Sequence, residues 1–313
     1  ELKDLLNHYE DEMDRLSIET SHPQWLLEKW VSRYAPDEVS ALCSHNNTAP
    51  KTWIRRNIQI VGAEDFESFL DGLDIKYKKS DVLDVFYEIG SASSLFSTKE
   101  FHGGWFSFQD LAAGLVASLI DPESGDTIVD ACSAPGGKMA FISELSGGQA
   151  KIIACDASHS RLAKVRENIL RLGLKQIEVL ELDAAVAPLP AANKILLDVP
   201  CSGTGVLNRR PDARWKRQAL DIISLTGIQS NILTNSWKYL APGGLLVYAT
   251  CTLEPDENWE LIDSVLEHLD QASVEAIEHE NLKPYIDERG ALSTLPWRHD
   301  MDGMFAVKIR KAL

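Results

Sequence analysis

The sequence predicts an α/β protein whose larger part is a doubly wound, mostly parallel sheet, with a small α+β module ahead of it. Three observations indicate this fold class. Strand-like and helix-like patterns alternate from about residue 127 to residue 238, the strand-like runs are short and rich in branched apolar residues, and a Gly-Gly turn follows the first of them. Such alternation is typical of a parallel sheet that is covered by helices on both faces.

Length and composition narrow the class of protein. The chain has 313 residues, enough for two domains or for one large domain with an appendage, and 44% of them are apolar. No apolar run approaches the ~20 residues that span a bilayer, so we expect no membrane partner. Five cysteines without a C-x-x-C pair favour neither a disulfide framework nor a metal site, and they indicate a cytoplasmic protein. The start at Glu1, without Met, suggests a fragment.

Composition and periodicity divide the chain into three parts. Residues 1–48 are a helical segment, in which 24–31 and 36–43 are predicted helices that form a small core. Residues 49–105 are the small α+β module, with predicted strands at 52–57, 75–79 and 82–89 and a helix at 63–70. Residues 106–313 are the α/β domain, with predicted helices at 111–120, 138–145 and 160–172 and strands at 127–131, 151–156, 177–182, 194–199 and 244–250.

The small module carries basic residues on an otherwise acidic chain. A net charge of −16 argues against indiscriminate nucleic-acid binding, but it is compatible with a local basic groove. The module mixes basic and aromatic side chains: Arg55, Arg56, Lys76, Lys78 and Lys79 with Trp53 and Tyr77. This mixture suits single-stranded RNA, whose bases stack and whose phosphates pair with cations. We therefore expect Arg55 and Lys78 to contact RNA, and the alternative is a solvated strand face.

The first strand-to-helix turn of the α/β domain has the form of a ligand loop. It reads Asp130-Ala131-Cys132-Ser133-Ala134-Pro135-Gly136-Gly137-Lys138. Two glycines after a strand let backbone N–H groups approach a ligand at a helix N-terminus. A phosphate-binding P-loop is excluded, because Cys132 replaces its first glycine and Met139 its Ser or Thr, and no G-x-G-x-x-G is present. The remaining ligand is one that carries adenosine without a long phosphate chain.

Acidic residues at the ends of the next two strands support this interpretation. Asp156 ends the second strand, 26 residues after Asp130 (156 − 130), where a carboxylate can bind both ribose hydroxyls. Asp183 follows the third strand, within reach of an adenine amino group. Each acid alone could be a strand-end cap. Three such acids with the Gly-Gly turn predict S-adenosylmethionine as the cofactor.

Two cysteines follow two later strands. The run Ile195 to Val199 reads as a buried strand, after which Asp198 and Cys201 reach the rim where open α/β sheets bind ligands. Cys251 follows the strand at 244–250 in the same way. The alternative for Asp198 and Cys201 is a buried acid beside an inert core cysteine.

Two rim thiols without metal spacing indicate covalent chemistry. Cytosine C5 is a poor nucleophile toward a methyl sulfonium, but a thiolate that adds to C6 makes C5 enamine-like. A base must then remove the C5 proton, and an acid near N3, such as Asp198, would hold the ring. One thiol, one base and one carboxyl are what this reaction requires.

Three sequence blocks resemble the signatures of the Nop/Sun RNA (cytosine-5) methyltransferase family. They are the loop 130–138, the block Asp198-Val199-Pro200-Cys201-Ser202-Gly203-Thr204-Gly205 and the block Tyr248-Ala249-Thr250-Cys251-Thr252-Leu253. The runs 209–215 and 299–305 resemble the bacterial RsmB (Sun) branch, which acts on 16S rRNA. Together these blocks span most of residues 20–313.

The resemblance implies a Rossmann-like class I methyltransferase with S-adenosylmethionine as cofactor. Cys251 would be the nucleophile, and Cys201 would assist proton removal and product release. The cofactor contacts of the family map onto Cys132, Ser133, Ala134, Pro135, Gly136, Gly137, Lys138, Asp156, Asp183 and Asp198. Two features depart from the family: Thr252 stands where serine is usual, and only the tail of a NusB-like RNA-binding domain could fit in residues 1–20.

A basic segment after Cys201 independently suggests an RNA partner. Five basic residues stand there against Asp212, a net of +4 (five minus one): Arg209, Arg210, Arg214, Lys216 and Arg217. They could hold phosphates around an unstacked cytosine, while Trp215 is expected in the core, with base stacking as its alternative. The predicted function is methylation of cytosine C5 in RNA, with 16S rRNA as the expected substrate. The rivals are the tRNA branch of the family and an idle RNA-binding assembly factor.

Overall fold

The structure is a computed structural model that describes residues 11–90 and 93–313. Residues 1–10, for which the sequence also predicts helix, lie outside the described residues. The N-terminal helices are Glu12–Thr20, Gln24–Val31 and Pro36–Asn46. Their core of Leu26, Trp30 and Leu42 is buried, and Leu207 and Leu253 of the α/β domain join it. The helical segment therefore packs directly on the two loops of the α/β domain that carry Leu207 and Leu253.

A four-stranded antiparallel sheet forms the small module, in the order β2-β3-β1-β4. Its strands are β1 (Thr52–Arg56), β2 (Tyr77–Lys79), β3 (Phe86–Ile89) and β4 (Phe106–Phe108). The helix Ala63–Gly72 buries Phe66 and Leu70 against one face, and the short helix Lys99–His102 precedes β4. β3 begins later than predicted because the Ser80 hydroxyl accepts the N–H groups of Val82 and Leu83, which makes residues 80–83 a turn.

The small sheet extends past the boundary expected at residue 105. The sequence predicts that Phe106–Phe108 opens a helix, whereas the structure pairs this segment with β1, Ile54 opposite Phe108. Phe106 is fully buried and packs on Phe66 and Phe101, with ring centroids 5.9 and 5.5 Å apart. This aromatic cluster holds the segment in the module.

An eight-stranded sheet forms the α/β domain, and it confirms the predicted fold class. Its order is β10-β12-β9-β8-β5-β6-β7, with β11 beside β12. The strands are β5 (Thr127–Asp130), β6 (Lys151–Asp156), β7 (Ile177–Glu181), β8 (Ala192–Asp198), β9 (Leu240–Thr250), β10 (Ala272–Glu275), β11 (Leu292–Ser293) and β12 (Phe305–Lys311). β5 to β9 are parallel, and β12 is antiparallel to β9 and β10. The chain order reverses between β5 and β8, which opens a crevice at their carboxyl ends.

Helices cover both faces of this sheet. They are Leu111–Ser118, Gly137–Leu145, His159–Leu172, Ala219–Trp237 and Trp259–Leu266, while the short helices Ala213–Lys216 and Pro296–His299 contribute to the core of the N-terminal helices. Local signals explain the bounds of His159–Leu172: the Ser158 hydroxyl accepts the N–H of Arg161, and Gly173 ends the helix at φ 63°. In the part of the chain that the structure describes, no helix is long and apolar enough to cross a membrane.

Arg55 joins the small module to the α/β domain, and the prediction that it contacts RNA is wrong. Its Nη2 lies 2.6 Å from Glu144 Oε1 and its Nε 3.0 Å from Glu144 Oε2, and both side chains are fully buried. Its Nη1 also donates to the carbonyl of Gly137, at 3.2 Å. Arg56 is likewise buried and donates to the carbonyl of Val61. Lys78 is exposed, so its RNA contact stays a prediction.

Candidate active site

A cavity of about 760 Å³ lies beyond the carboxyl ends of the parallel strands β5 to β9. Side chains from the loop after each strand line it, among them Cys132, Asp156, Asp183, Asp198, Cys201 and Cys251. This volume is typical of a cofactor or small-molecule site. The strand ends therefore bring together residues that are up to 119 positions apart (251 − 132).

The two rim cysteines lie side by side. β8 and β9 are parallel neighbours with Asp198 opposite Ala249, so the loops that follow them meet. Cys201 Sγ is 3.0 Å from Cys251 Sγ and 3.2 Å from the backbone nitrogen of Cys251. The hydrogen bond with Cys251, together with burial, raises the pKa of the Cys201 thiol well above its usual value. Cys201 therefore keeps its proton at neutral pH.

Lys138 and Asp198 form an ion pair on the cavity wall. Lys138 Nζ is 2.7 Å from Asp198 Oδ2, and the Asp198 side chain is 31% exposed, so it remains accessible from the cavity. Burial alone would lower the pKa of Lys138, but the charge of Asp198 and the hydrogen bond to it raise that pKa above its usual value. Lys138 is therefore a fixed cation, and the charge of Cys251 also contributes to its raised pKa. A cation beside a thiol is typical of nucleophilic cysteines.

The loop after β5 divides into residues that line the cavity and residues that shape the turn. Cys132, Ala134, Pro135 and Lys138 line the cavity, whereas Ser133, Gly136 and Gly137 lie outside its lining. Gly136 has φ +100° and directly precedes the helix Gly137–Leu145, a conformation that favours glycine. The two glycines thus orient the loop.

The predicted ribose and adenine carboxylates both line the cavity. Asp156 Oδ1 accepts the N–H of Ser158 at 2.9 Å, and its Oδ2 lies 3.3 Å from both the nitrogen of Ala134 and Nη1 of Arg161. Asp183 is exposed and accepts the N–H of Ala185 at 2.9 Å. Asp130 differs from both: it is buried beneath the loop, outside the cavity lining, and burial raises its pKa to about 7.

The basic segment after Cys201 separates into structural and accessible residues. Arg214 is buried and donates to the Ser21 carbonyl at 3.0 Å, the Asn46 carbonyl at 2.8 Å and Asn47 Oδ1 at 2.7 Å. The prediction that Arg214 contacts RNA is therefore wrong, because its guanidinium holds the N-terminal helices in place. The expectation that Trp215 is a core residue is also wrong, since 57% of it is exposed.

Four basic residues of this segment remain at or near the cavity mouth. Arg209, Arg210 and Arg217 line the cavity, and Lys216 is exposed beside Asp212, at 2.6 Å. Arg209 is already engaged: its Nη2 is 2.7 Å from Asp110 and its Nε 2.6 Å from Asp302. Among residues 11–90 and 93–313, the only hydrogen bond of the Arg217 side chain is a long one, 3.4 Å, to the Cys201 carbonyl. Arg210 and Arg217 are thus the arginines best placed for a phosphate.

Sequence reasoning missed the close contact between Gly205 and Gly303. Gly205 donates its N–H to the Cys251 carbonyl at 3.0 Å, and its own carbonyl accepts the N–H of Gly303 at 2.8 Å. A Cβ on Gly205 would lie 2.3 Å from the Gly303 oxygen. The C-terminal segment therefore packs against the turn after Cys201, and glycines in both blocks were the available signal.

Sequence reasoning also missed a buried polar network behind the two thiols. Thr252 Oγ1 is 2.7 Å from Ser202 Oγ and 2.9 Å from Thr204 Oγ1, so threonine supplies here the hydroxyl that serine usually supplies. Glu257 is fully buried and accepts from Ser202 and Gln229. No group of three or more His, Cys, Asp or Glu that could hold a metal ion occurs among residues 11–90 and 93–313.

Comparison with known proteins identifies the family. The family model described as 16S rRNA methyltransferase RsmB/F matches residues 117–310, and a model of an RsmF/B-like ferredoxin-like domain matches residues 22–85. The chain belongs to the RsmB/F family. It is thus an RNA methyltransferase by family, which confirms the resemblance predicted from the sequence blocks.

Curated relatives and solved structures agree with this membership. The probable ribosomal RNA small subunit methyltransferase B of Bacillus subtilis (strain 168) is 33% identical over 310 residues, which cover 96% of this chain and 69% of the relative. The ribosomal RNA small subunit methyltransferase B of Vibrio vulnificus (strain YJ016) is 35% identical over 297 residues, covering 93% and 67%. The chain thus spans about two thirds of the length of these relatives.

Two solved structures share the fold. A methyltransferase homologue from Pyrococcus horikoshii has a TM-score of 0.83 at 24% identity and covers 97% of this chain and 100% of its own. NSun6 from Pyrococcus horikoshii, solved with the S-adenosylmethionine analogue SFG, has a TM-score of 0.84 at 23% identity and covers 93% and 98%. At this level of identity the similarity concerns the fold.

Proposed function

We propose that this RNA methyltransferase transfers a methyl group from S-adenosylmethionine to C5 of a cytosine in 16S rRNA. The observation that carries the proposal is the thiol pair, Cys201 and Cys251, 3.0 Å apart beside the Lys138–Asp198 ion pair in one cavity. These are the nucleophile, the base and the carboxyl that C5 chemistry requires. A purely RNA-binding protein has no use for two adjacent thiols, which disfavours the assembly-factor alternative.

The cavity has the donor set that an adenosine cofactor needs. Asp156 presents a carboxylate at the end of β6 for ribose hydroxyls, and Asp183 follows β7, where it can take an adenine amino group. The wall of the cavity near these two carboxylates is formed by Cys132, Ala134 and Pro135. When bound there, S-adenosylmethionine supplies an electrophilic methyl group.

Cys251 acts as the nucleophile and Cys201 as its helper. Cys201 keeps its proton, so its thiol can donate to a Cys251 thiolate, and Lys138 provides a nearby cation. Cys251 Sγ bonds to C6 of the cytosine, which places electron density at C5. Bond formation removes the Cys251 charge, one of the causes of the raised pKa of Cys201. Once C5 has taken the methyl group, Cys201, with its own proton released to solvent, can accept the proton that leaves C5, after which the Cys251–C6 bond breaks and frees the Cys251 thiolate.

Asp198 orients the base. Its carboxyl is partly exposed to the cavity, and its pairing with Lys138 fixes its direction. A hydrogen bond from a protonated N3 to Asp198 would hold the ring and draw electron density from C6 as Cys251 adds.

The RNA partner is supported by the side chains at the cavity mouth. Arg210 and Arg217 line it, Lys216 is exposed next to them, and Trp215 is available for stacking. Because the thiolate must attack C6 from above the ring, the cytosine has to leave its stack. The named relatives favour 16S rRNA over tRNA, and a cytoplasmic location stays a prediction.

Trapping of a covalent RNA adduct tests the proposal. Cys251→Ala should abolish methyl transfer and leave S-adenosylmethionine binding intact, whereas Cys201→Ala should accumulate a denaturant-resistant RNA–protein band. The assay uses 16S rRNA and a tRNA pool as parallel substrates. Methyl transfer by Cys251→Ala at the wild-type rate would show that Cys251 is not the nucleophile. A stronger adduct with tRNA than with 16S rRNA would show that the substrate is tRNA.

A further inference from the structure

A fully buried carboxylate lies directly behind Cys201. Glu257 ends the 3₁₀ turn Pro255–Glu257, six positions after Cys251 (257 − 251), and none of its surface is exposed. Its Oε1 accepts the N–H of Ser202 at 2.8 Å and Nε2 of Gln229 at 2.8 Å, and its Oε2 accepts the Ser202 hydroxyl. The reaction described above makes no use of this group.

The bonds of Glu257 hold the backbone on both sides of Cys201. Ser202, which follows the cysteine, donates its N–H to Glu257. Pro200, which precedes it, accepts from Gln229 Nε2 at 2.9 Å, and the same nitrogen donates to Glu257. The peptide that carries Cys201 is therefore anchored at both ends to one carboxylate–amide pair.

The same network reaches the loop that carries Cys251. Ser202 Oγ, which donates to Glu257, lies 2.7 Å from Thr252 Oγ1. Ser202 and Thr252, the residues that follow the two cysteines, are thus hydrogen-bonded to each other, and Glu257 holds Ser202 in place. A 1 Å displacement of the Cys201 sulfur along the line to the Cys251 sulfur would change their 3.0 Å separation by a third.

Glu257 differs from its neighbour Glu254, which is equally buried. Glu254 is neutralised by Arg33 at 3.0 Å and accepts from Trp30 Nε1 at 3.2 Å, so it serves the N-terminal helices. Within the described residues, Glu257 has no Lys, Arg or His partner in an ion pair. Burying a carboxylate with only neutral donors is costly, and such a group is retained where its geometry matters.

We propose that Glu257 is a positioning residue that sets Cys201 against Cys251 and thereby controls release of the methylated base. The inference rests on the proposed function, because release is the step assigned to Cys201. The charge of Glu257 is also among the causes of the raised pKa of Cys201, after the hydrogen bond to Cys251 and burial. Loss of Glu257 should therefore reproduce the defect that loss of the Cys201 thiol causes.

The test compares Glu257→Ala with Glu257→Gln on the full chain. Displacement of a reacting group by about 1 Å can cost about 100-fold in rate, so Glu257→Ala should lower kcat about 100-fold, leave KM for RNA within about twofold, and accumulate the RNA–protein adduct. The glutamine carbonyl can still accept from Ser202 and Gln229, so Glu257→Gln should restore most of the turnover. A role in folding alone would not trap an adduct.

Three variants serve as references. Cys201→Ala marks the full release defect, and Glu254→Gln should lower stability through Arg33 without trapping an adduct. If Glu257→Ala does not fold, Gln229→Met removes the hydrogen bonds to Pro200 and Glu257 but leaves those from Ser202 to Glu257, and it should still trap adduct at a measurable level.

Two results would overturn the inference in distinguishable ways. In the first, Cys201→Ala traps the adduct, but Glu257→Ala (or Gln229→Met in its place) methylates RNA without accumulating any adduct. The positioning role of Glu257 then fails, and the proposed function stands. If Cys201→Ala itself traps no adduct, the release role of Cys201 fails and the role of Glu257 fails with it.

Discussion

Replacement of Arg55 by methionine should destabilise the protein and leave the salt dependence of RNA binding unchanged. Arg55 and Glu144 face each other with two hydrogen bonds of 2.6 and 3.0 Å, and both side chains are fully buried. Methionine occupies much of the volume of the arginine stem, so the main change is the loss of the cation. Glu144 is then left in the interior without its partner.

The expected loss of stability is about 3–5 kcal/mol, the usual cost of removing one partner of a buried ion pair. With an unfolding entropy of about 2.1 cal/mol/K per residue, a chain of 313 residues should lose about 5–8 °C in Tm. Burial raises the pKa of Glu144 even though Arg55 lowers it, so removal of Arg55 raises that pKa further. A carboxyl with a raised pKa in the folded state stabilises the fold as pH falls, so the deficit should be smaller at pH 5 than at pH 8.

Urea unfolding followed by circular dichroism at the two pH values measures this deficit. The double variant Arg55→Met/Glu144→Leu is the matched control, and it should regain most of the lost stability because no unpaired charge remains. RNA affinity measured across a salt series should keep the wild-type slope in both variants. A variant Arg55→Met as stable as the wild type, with a shallower salt slope, would mean that Arg55 faces RNA.

Three further predictions concern the cofactor, the active-site turn and the RNA. Asp156→Ala should weaken S-adenosylmethionine binding by about 1.5–3 kcal/mol, about 10- to 150-fold by calorimetry, and unchanged affinity would contradict the ribose assignment. Gly205→Ala places a Cβ 2.3 Å from a backbone carbonyl oxygen and should lower the free energy of unfolding in urea by about 1–3 kcal/mol. Gly227→Ala, whose Cβ would have nothing within 4 Å, should not lower it, and equal stability of the two variants would contradict the packing of Gly205. Arg210→Ala should reduce the salt slope of RNA binding by about 0.7, whereas Arg214→Ala should lower stability and leave the slope unchanged, and the reverse pattern would exchange their roles.

The fold could be predicted from the sequence because its signals are local. The alternation of branched apolar runs with amphipathic stretches gave β5 to β9 within a few residues. The sequence prediction lacks β4 because this strand has only three residues, too few for its alternation of phenylalanine and serine to be distinguished from the start of the apolar helix that follows. Only packing on Phe66 and pairing with β1, about 50 positions earlier in the chain, makes Phe106–Phe108 a strand.

The sequence predicts which strand-end residues meet in the candidate site, but it does not predict which arginines are paired inside the protein. Strand ends of a parallel sheet share one edge, so Asp156, Asp198 and Cys251 could be placed together from order alone. The roles of Arg55 and Arg214 depend on partners that lie 89 and as many as 193 positions away. Charge patterns along the chain do not reveal such partners, so the sequence predicts RNA contacts for both arginines.

Tritium release from C5 tests the central claim most directly. The substrate is 16S rRNA labelled with tritium at cytosine C5, and the methyl group of S-adenosylmethionine carries ¹⁴C. We predict one tritium released to water for each methyl group transferred, and neither event with Cys251→Ala. Methyl transfer with the tritium retained would place the methyl group on another atom and contradict the C5 mechanism.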